Sequence, residues 1–297
     1  MLQSSQPRST DPEDFQELDQ CVAAMAKGFP AGYHIAPHKH RRDQLLYAVS
    51  GTMRIRTSTD AWIVPPDRAV YLPAEVEHSV AMRGAVEMRT LYIAGRCRLS
   101  LPAAPVVLMV TPLLRALILA LLDEPIAYQP GSRADHIAVL ILDEIARAKP
   151  LDMSIPMPQD RRLLRLCEAL ISEPALSLTL DGWADQTGAS RRTLTRLFRS
   201  ECRITFTAWR QRVRFHAAVE ALSRGVSVSD AARQHGYGSA SAFASAFRKA
   251  FGVSPRSVVA AGSPVPMRQP GQESSPAGGT TAPWDGSWGE GKPPDDR

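Results

Sequence analysis

The chain has 297 residues, of which 44% are hydrophobic and 22% charged. That length allows two domains with separate cores, and the composition excludes fibrous and wholly disordered classes. The formal charge of +5 is unevenly placed: residues 160–260 hold 16 basic and 8 acidic side chains, against 19 and 22 elsewhere. Charge of one sign gathered in one segment is the footprint of a phosphate-binding surface, although a solvated basic face gives the same count.

In chain order, residues 1–14 are polar, contain Pro7 and Pro12, and read as a disordered lead. From about Tyr33 to Ile93 short apolar runs follow: Leu45–Val49, Met53–Ile55, Ala61–Val64, Ala69–Leu72 and Met88–Ile93. Turn formers separate them, at Ser50-Gly51, Pro65-Pro66-Asp67 and Arg83-Gly84. Such runs predict a small β-sandwich or barrel over about 20–100. The most apolar stretch, Val106–Leu122, contains Pro112 and Arg115. A membrane span needs about 20 apolar residues without a central charge, so this stretch predicts a buried helix instead.

Across 105–150 the apolar residues recur at helical spacing, with one stripe of Leu113, Leu117, Ala120 and Leu121. A second stripe joins Ile137, Leu140, Ile141 and Ile145. Leu113, Leu117 and Leu121 suit either a homodimer interface or packing against the chain's own barrel. Pro150, Pro156 and Pro158 mark a linker. Helical patterning resumes over 160–260, and residues 262–297 are rich in Gly, Pro and Ser and read as a disordered tail. Trp284 and Trp288 in that tail have no assigned role. The four cysteines, Cys21, Cys97, Cys167 and Cys202, make no C-x-x-C pair. With no signal-peptide pattern either, they predict reduced thiols in a cytoplasmic protein without a membrane anchor.

An internal repeat lies inside the basic segment. Ala184-Asp-Gln-Thr-Gly188 corresponds to Ala232-Arg-Gln-His-Gly236, and each is followed by a helical pattern. Past the turn the register shifts by one residue, matching Ser190 with Ser239, Leu194 with Phe243, Phe198 with Phe247, Arg199 with Arg248, and Ile204 with Val253. Each copy therefore predicts helix, tight glycine turn, helix, because a residue without Cβ reaches positive φ at little cost. In the first copy Leu194, Leu197 and Phe198 share an inward face, leaving Arg192, Thr195, Arg196 and Arg199 outward. Arginines so spaced can enter the major groove and bond guanine O6 and N7, each pair discriminating by roughly 1–3 kcal/mol. In the second copy Phe243, Ala246 and Phe247 face inward, and the outward set of Ser241, Ala244, Ser245 and Arg248 is weakly polar. The two copies are thus expected to contribute unequally. One helix over Thr205–Arg224, burying Phe206, Trp209, Val213, Ala217 and Leu222, would fix their spacing, placing them one helical turn of DNA apart, about 34 Å.

Four of the seven histidines lie between Tyr33 and Ser79. His38 and His40 are two residues apart, which puts them on one face of a strand. His78, arriving from a later strand, could complete a facial set for Zn, Fe, Ni or Mn. Asp43 and Glu77 alternate to the opposite face and are not counted as ligands.

The stretch from about Leu163 to Val258 resembles the DNA-binding domain of AraC/XylS-type transcriptional regulators. The resemblance is carried above all by Ala232-Arg-Gln-His-Gly-Tyr-Gly-Ser-Ala-Ser-Ala-Phe-Ala-Ser-Ala-Phe-Arg-Lys-Ala-Phe-Gly-Val-Ser-Pro255. It implies recognition helices beginning near Arg191 and Ser239, with Arg192, Thr195, Arg196, Ser241 and Ser245 at base-reading positions. Arg203 stands where that family usually has Gly, which puts the local turn in question and offers a phosphate contact instead. The run His38-Lys-His40-Arg-Arg-Asp-Gln44, then Gly51, is similar to the first cupin motif, H-x-H-x₃-E-x₆-G, with Gln44 in place of Glu. Pro73-Ala-Glu-Val-Glu-His78 resembles the second motif, with Glu75 in place of its usual Gly.

The expected fold is α+β in two domains: a cupin-like barrel with following helices, then an all-α domain with two helix-turn-helix units. The expected function is sequence-specific transcription regulation, with a double-stranded DNA operator, RNA polymerase, a small-molecule or metal effector and a second copy of the chain as partners. His38, His40, Gln44 and His78 are the candidate effector or metal residues, a divalent metal being the one cofactor suggested. A pocket without metal, empty or holding an organic ligand, is the competing reading. The alternative is a metal-dependent cupin enzyme carrying an accessory nucleic-acid-binding domain. An architectural protein fits less well, because Arg192 and Arg196 are placed to read bases.

Overall fold

The computed structural model describes residues 9–256 apart from Asp67, Arg98, Leu99 and Val253. The tail at 262–297, with Trp284 and Trp288, lies outside the described residues, as do residues 1–8. What is described of the N-terminal lead is ordered: Asp11 caps a 3-10 helix, Pro12–Phe15, accepting from Glu13 N, and Phe15 is buried. Asp before Pro is a helix-start signal, and here it outweighs the polar composition.

The strands are β1 (Val22–Phe29), β2 (His34–His38), β3 (Asp43–Arg56), β4 (Asp60–Val64), β5 (Arg68–Leu72), β6 (His78–Ile93), β7 (Val106–Met109), β8 (Pro150–Leu151) and β9 (Ile155–Pro156). All pair antiparallel, in the order β1-β6-β3-β5-β7-β8, with β2 on β6, and β4 on β3 and β9. β3 and β6 are longer than the apolar runs suggest, because Ser50-Gly51 and Arg83-Gly84 bend the strands without ending them. On one side of this bend Asp43–Ser50 pairs with Glu87–Ile93; on the other Thr52–Arg56 pairs with Ser79–Arg83. The sheet so folds on itself around a cavity. Gly51 sits at the corner with φ 80°, and a Cβ there would collide with the Ala85 carbonyl and Val86.

The sheet is buried on both faces, which is why the strands read as nearly continuous apolar runs. Leu46, Ala48, Val70, Leu72, Met88 and Tyr92 belong to the inner cluster, and Leu45, Tyr47, Ala69, Tyr71, Leu91 and Ile93 to the outer one. Against the outer face lie α1 (Pro112–Leu122) and α2 (Arg133–Arg147), capped by Thr111 and Ser132. α1 buries Leu114, Leu117, Ile118 and Leu121, while Leu113 is 53% exposed. In α2, Ile137, Ile141 and Ile145 are buried and Leu140 is half exposed. The stripe of Leu113, Leu117 and Leu121 is therefore not a free dimer face, since two of its three members cover the barrel.

Two boundaries move. The barrel extends past residue 100, because β7 pairs with β5, and the helical connection begins only at Pro112. The proline-marked linker is sewn onto the same sheet: β8 pairs with β7 and β9 with β4. Pro150 and Pro156 sit in two-residue edge strands, where a missing N–H is tolerated, and Pro158 follows the second.

The cysteine reading also changes. Cys21 and Cys97 form a disulfide, with Cα atoms 5.8 Å apart. Pairing of Val22 with Ile93 brings the start of β1 beside the end of β6, so residues 76 apart in sequence become neighbours. Cys167 and Cys202 are free and buried.

The helical domain comprises α3 (Arg161–Ser172), α4 (Leu180–Thr187), α5 (Arg191–Glu201), α6 (Phe206–Ser223), α7 (Val228–Gln234) and α8 (Ala240–Phe251). α6 is buried on most sides: to the expected Trp209, Val213 and Leu222 it adds Phe215, His216, Ala218, Val219 and Ala221. It packs against α3, α7, β3, β4 and β9. Phe206 and Ala217, expected inside, are only partly buried. Contacts between the barrel and the helical domain include Trp209 Nε1 donating to Pro156 O at 2.7 Å and Thr52 Oγ1 to Ser223 Oγ at 2.9 Å. No helix among the described residues is long and apolar enough to cross a membrane.

Candidate nucleic-acid interface and metal-ligating cluster

In the first helical unit α4 ends at Gly188, which adopts φ 66°. Ser190 then caps α5, its hydroxyl accepting from Thr193 N at 3.1 Å. In the second, α7 is followed by Gly236 at φ 80°, and Ser239 caps α8 through Ala242 N at 3.1 Å. A cap of this kind contributes about 1 kcal/mol, so the repeated serines fix where each second helix starts. α5 buries Leu194, Leu197 and Phe198 against Trp183, Leu163 and Trp209. α8 buries Phe243, Phe247 and Phe251, each within 6.1 Å of the Phe215 ring on α6.

The outward stripe of α5 is as the spacing predicts. Arg192, Arg196 and Arg199 are exposed, and no hydrogen bond or ion pair ties their side chains to the described residues. Unpaired guanidinium groups on one helix face carry no self-interaction that a nucleic acid would have to break. Two neighbours are partly committed. Arg191 pairs with Asp181 at 3.1 Å, and the Thr195 hydroxyl donates to Arg191 O at 2.8 Å. Thr195 therefore presents lone pairs and a methyl group outward, not a free donor. On α8, Ser241, Ser245 and Arg248 are exposed, and Ser239 is spent on capping. Arg203, which follows α5, takes φ 58°. The positive-φ turn that the resemblance expected to be built with Gly is present here in spite of the side chain.

The barrel gathers the three histidines. His38 ends β2 and is the cross-strand partner of His78 on β6, and His40 follows in the connection to β3. Ring centroids are 4.4 Å apart for His38 and His78, 4.9 Å for His38 and His40, and 5.6 Å for His40 and His78. One ligand atom from each lies within 4.8 Å of the others. His38 Nδ1 lies 2.8 Å from Ala36 O and His78 Nδ1 3.0 Å from Val76 O, so each donates there and leaves its Nε2 lone pair free. Neither nitrogen of the buried His40 has a partner, nor do His78 Nε2 and Gln44 Oε1.

Electrostatics favour neutral rings. Burial, then His38 and His78, push His40 down to about 4. Burial likewise lowers His78 to about 4, against the pull of the Val76 carbonyl. Asp43 is engaged away from the three rings: it accepts from Tyr71 Oη at 2.6 Å and Ala74 N at 2.7 Å. Glu75 adopts φ 64° at the position where the resemblance expected Gly, and its exposed carboxylate pairs with Lys39 at 2.6 Å.

The cluster opens on a cavity of about 300 Å³, lined among others by Met25, Lys27, Phe29, Met88 and Tyr92. Asp11, Pro12 and Glu13 line it too, a contribution that the reading of a disordered lead missed. Tyr92 is buried, its hydroxyl is held protonated by that burial, and its ring meets His40 edge-on at 5.2 Å.

Residues 183–261 match the family of the helix-turn-helix domain, and residues 28–94 that of the cupin domain. The HTH-type transcriptional regulator NimR of Escherichia coli (strain K12) is 28% identical over 223 residues, covering 75% of this chain and 81% of that protein. The HTH-type transcriptional regulator RipA of Corynebacterium glutamicum is 32% identical over 100 residues, 34% of this chain and 30% of that protein. Among solved structures, ToxT of Vibrio cholerae aligns over 82% of this chain and 99% of its own, at 11% identity and TM-score 0.34. An AraC-type DNA-binding domain protein of Chromobacterium violaceum aligns over 37% of this chain and 95% of its own, at 25% identity and TM-score 0.33. With its two helix-turn-helix units behind a cupin domain, the chain is a DNA-binding transcriptional regulator of the AraC type.

Proposed function

We propose that this regulator reads its operator chiefly with α5 and that its cupin domain is the sensor, with His38, His40 and His78 as ligands for a divalent transition metal. The observation that carries the metal reading is the set of buried, unpartnered nitrogens. An unsatisfied buried polar atom costs roughly 1–3 kcal/mol, and here several are gathered in one place. Two of the rings hold Nδ1–H on a carbonyl, which leaves Nε2 toward a ligand. Neutral imidazoles suit Zn, Fe, Ni or Mn, and Gln44 Oε1 is a further oxygen donor. A bound metal would supply a Lewis-acidic centre able to hold a small organic anion in the cavity.

The role is sensing and not turnover on this reading, because the neighbouring carboxylates are turned elsewhere: Asp43 bonds Tyr71 and Ala74, Glu75 pairs with Lys39, and Glu77 is exposed. The working partners are an operator duplex, RNA polymerase and, through surfaces outside the Leu117–Leu121 stripe, a second copy of the chain. The site of action is the cytoplasm, where the operator is.

The test is metal content and affinity of the purified full chain, by elemental analysis and by calorimetric titration with Zn²⁺ and Ni²⁺ after chelation. One metal per chain is expected, with affinity lost at least about 100-fold in His78→Ala and about 10-fold in Gln44→Ala. Binding that survives both His40→Ala and His78→Ala would refute the metal reading, leaving an organic ligand as the content of the cavity.

A further inference from the structure

A second cavity, of about 450 Å³, lies between the outside of the barrel and the helical domain. It is separate from the histidine cavity and shares no lining residue with it. Its walls are largely apolar, with Trp62 and Ile63 from β4 and Val213, Ala217 and Ala221 from α6. Cations and one carboxylate stand in the same lining: Arg54 from β3, Arg83 from β6, and Arg224 and Glu220 from the end of α6.

The charges do not balance. Glu220 is bonded by Arg224 at 2.8 Å, and Arg54 approaches it only to 3.7 Å, outside hydrogen-bond reach. The Arg54 side chain is 19% exposed, and its Nε is buried with no hydrogen-bond partner. Burial and the neighbouring Arg83 both disfavour its charge, and Glu220 offsets them only in part. Three guanidinium groups thus face one carboxylate in a mostly apolar chamber. The fully buried His216 also lines it, and neither of its ring nitrogens has a partner of good hydrogen-bond geometry.

A desolvated guanidinium is a strong donor that calls for an acceptor. A volume of this size is in the range of small-molecule sites, which combine apolar walls with a few fixed polar groups. A polyphosphate would need a cationic lining throughout, and a neutral ligand would leave Arg54 unsatisfied. We propose that this interdomain cavity is a second ligand site, taking an organic monoanion with an apolar body, its carboxylate or sulfonate on Arg54 and its body against Trp62 and α6. Such a ligand touches β3 and β4 on one side and α6 on the other, so it would bind a particular placement of barrel and helical domain. The site needs neither the histidine cluster nor a metal.

The experiment is a fluorescence titration of the full chain, treated with chelator, using 8-anilinonaphthalene-1-sulfonate as the probe. Saturable binding is expected in the wild type, displaced by 4-phenylbutyrate and about tenfold or more less well by 4-phenylbutyramide, which lacks the charge. Arg54→Met should weaken the probe about tenfold, and Ala217→Phe, which fills the chamber, should abolish saturable binding. Leu46→Trp, placed in the barrel interior, should leave it unchanged. Equal displacement by acid and amide would overturn the proposal, and that comparison needs no variant to fold. Absence of saturable binding, an unaffected Arg54→Met, or loss in Leu46→Trp alone would overturn it as well.

Discussion

His216 sits at full burial inside α6, with the Phe251 ring edge-on at 5.1 Å and no charged partner to stabilise an imidazolium. Burial, then Arg212 and Arg54, push it down to about 3 from its ordinary 6.5, and the Met153 backbone and Asp152 recover little. The native state therefore refuses a proton that the unfolded chain accepts. Stability from this residue is complete above about 6.5, erodes as pH falls, and reaches its floor only below about 3. Between pH 7 and pH 5 the loss amounts to about 2 kcal/mol for this one group. His40 and His78, held near 4, add losses of the same sign in the same window. The His216 share is isolated by difference. In His216→Met, a nearly volume-conserving change, unfolding free energy from urea titration should fall by about 2 kcal/mol less between pH 7 and pH 5 than in the wild type, both with chelator present. At pH 7 the variant should be at least as stable, since methionine buries no unpaired ring nitrogen. Parallel pH curves for the two proteins would refute the reasoning and mean that His216 finds an acceptor for its proton in the folded state.

Arg196→Ala should weaken binding to the preferred operator by about 1–3 kcal/mol and blunt specificity at one position; equal loss on every duplex would reduce Arg196 to a phosphate contact. Ser241→Ala on α8 should cost less than Arg196→Ala in the same competition assay, and the reverse order would overturn the unequal division between the units. Arg203→Gly should raise stability by roughly 0.5–1 kcal/mol, since an αL side chain is strained and this one has no partner to lose; Arg203→Ala should give no such gain, and equal denaturation midpoints for the two would count against the turn. Cys21→Ser opens a loop of 76 residues and should cost about 2–4 kcal/mol, with dithiothreitol lowering the wild type to the same level but leaving the variant unmoved.

The helical half was the more legible in the sequence because its signals are local. Gly188 and Gly236 stop helices, Ser190 and Ser239 start them, and α6 runs between the expected Thr205 and Arg224 as cap residues. Each of these is decided within a few residues. The barrel depends on partners far away in the chain. Ser50-Gly51 read as a break, yet β3 continues through it because β6 bulges opposite the same corner. Cys21 and Cys97 showed no pairing spacing, because only the register of β1 on β6 brings them together. The two prolines in β8 and β9 argued for a linker, and sheet pairing overrode them at an edge. Both glycine departures noted by resemblance, Glu75 and Arg203, are the two described non-glycine residues with positive φ. There the backbone has kept its shape and the side chain bears the strain, so a family pattern predicted geometry that residue identity alone would have denied.

The link between the two domains is carried less by its ion pairs than by the short strand that looked like a tether. Arg56 and Glu168 pair at 2.8 Å but are each nearly half exposed, which limits them to at most about 1 kcal/mol. Arg54 and Glu220 do not reach hydrogen-bond distance. β9 does more: Ile155 is registered with Ala61 on β4, and Met157 N donates to Thr59 O at 2.7 Å. The side chains of Ile155 and Met157 are buried in the same cluster as Leu163, Leu197 and Phe198, each contributing about 1.5–3 kcal/mol of burial. The Pro156 carbonyl between them holds the indole of Trp209, whose ring in turn packs on Phe198 of α5 at 5.9 Å. Backbone belonging to the barrel thus supplies side chains to the core that seats the recognition helix. A coupling of roughly 1–3 kcal/mol between ligand and operator is no larger than one of these contacts. Shifting β9 against β4 by enough to unseat one side chain would therefore suffice, without any separation of the domains.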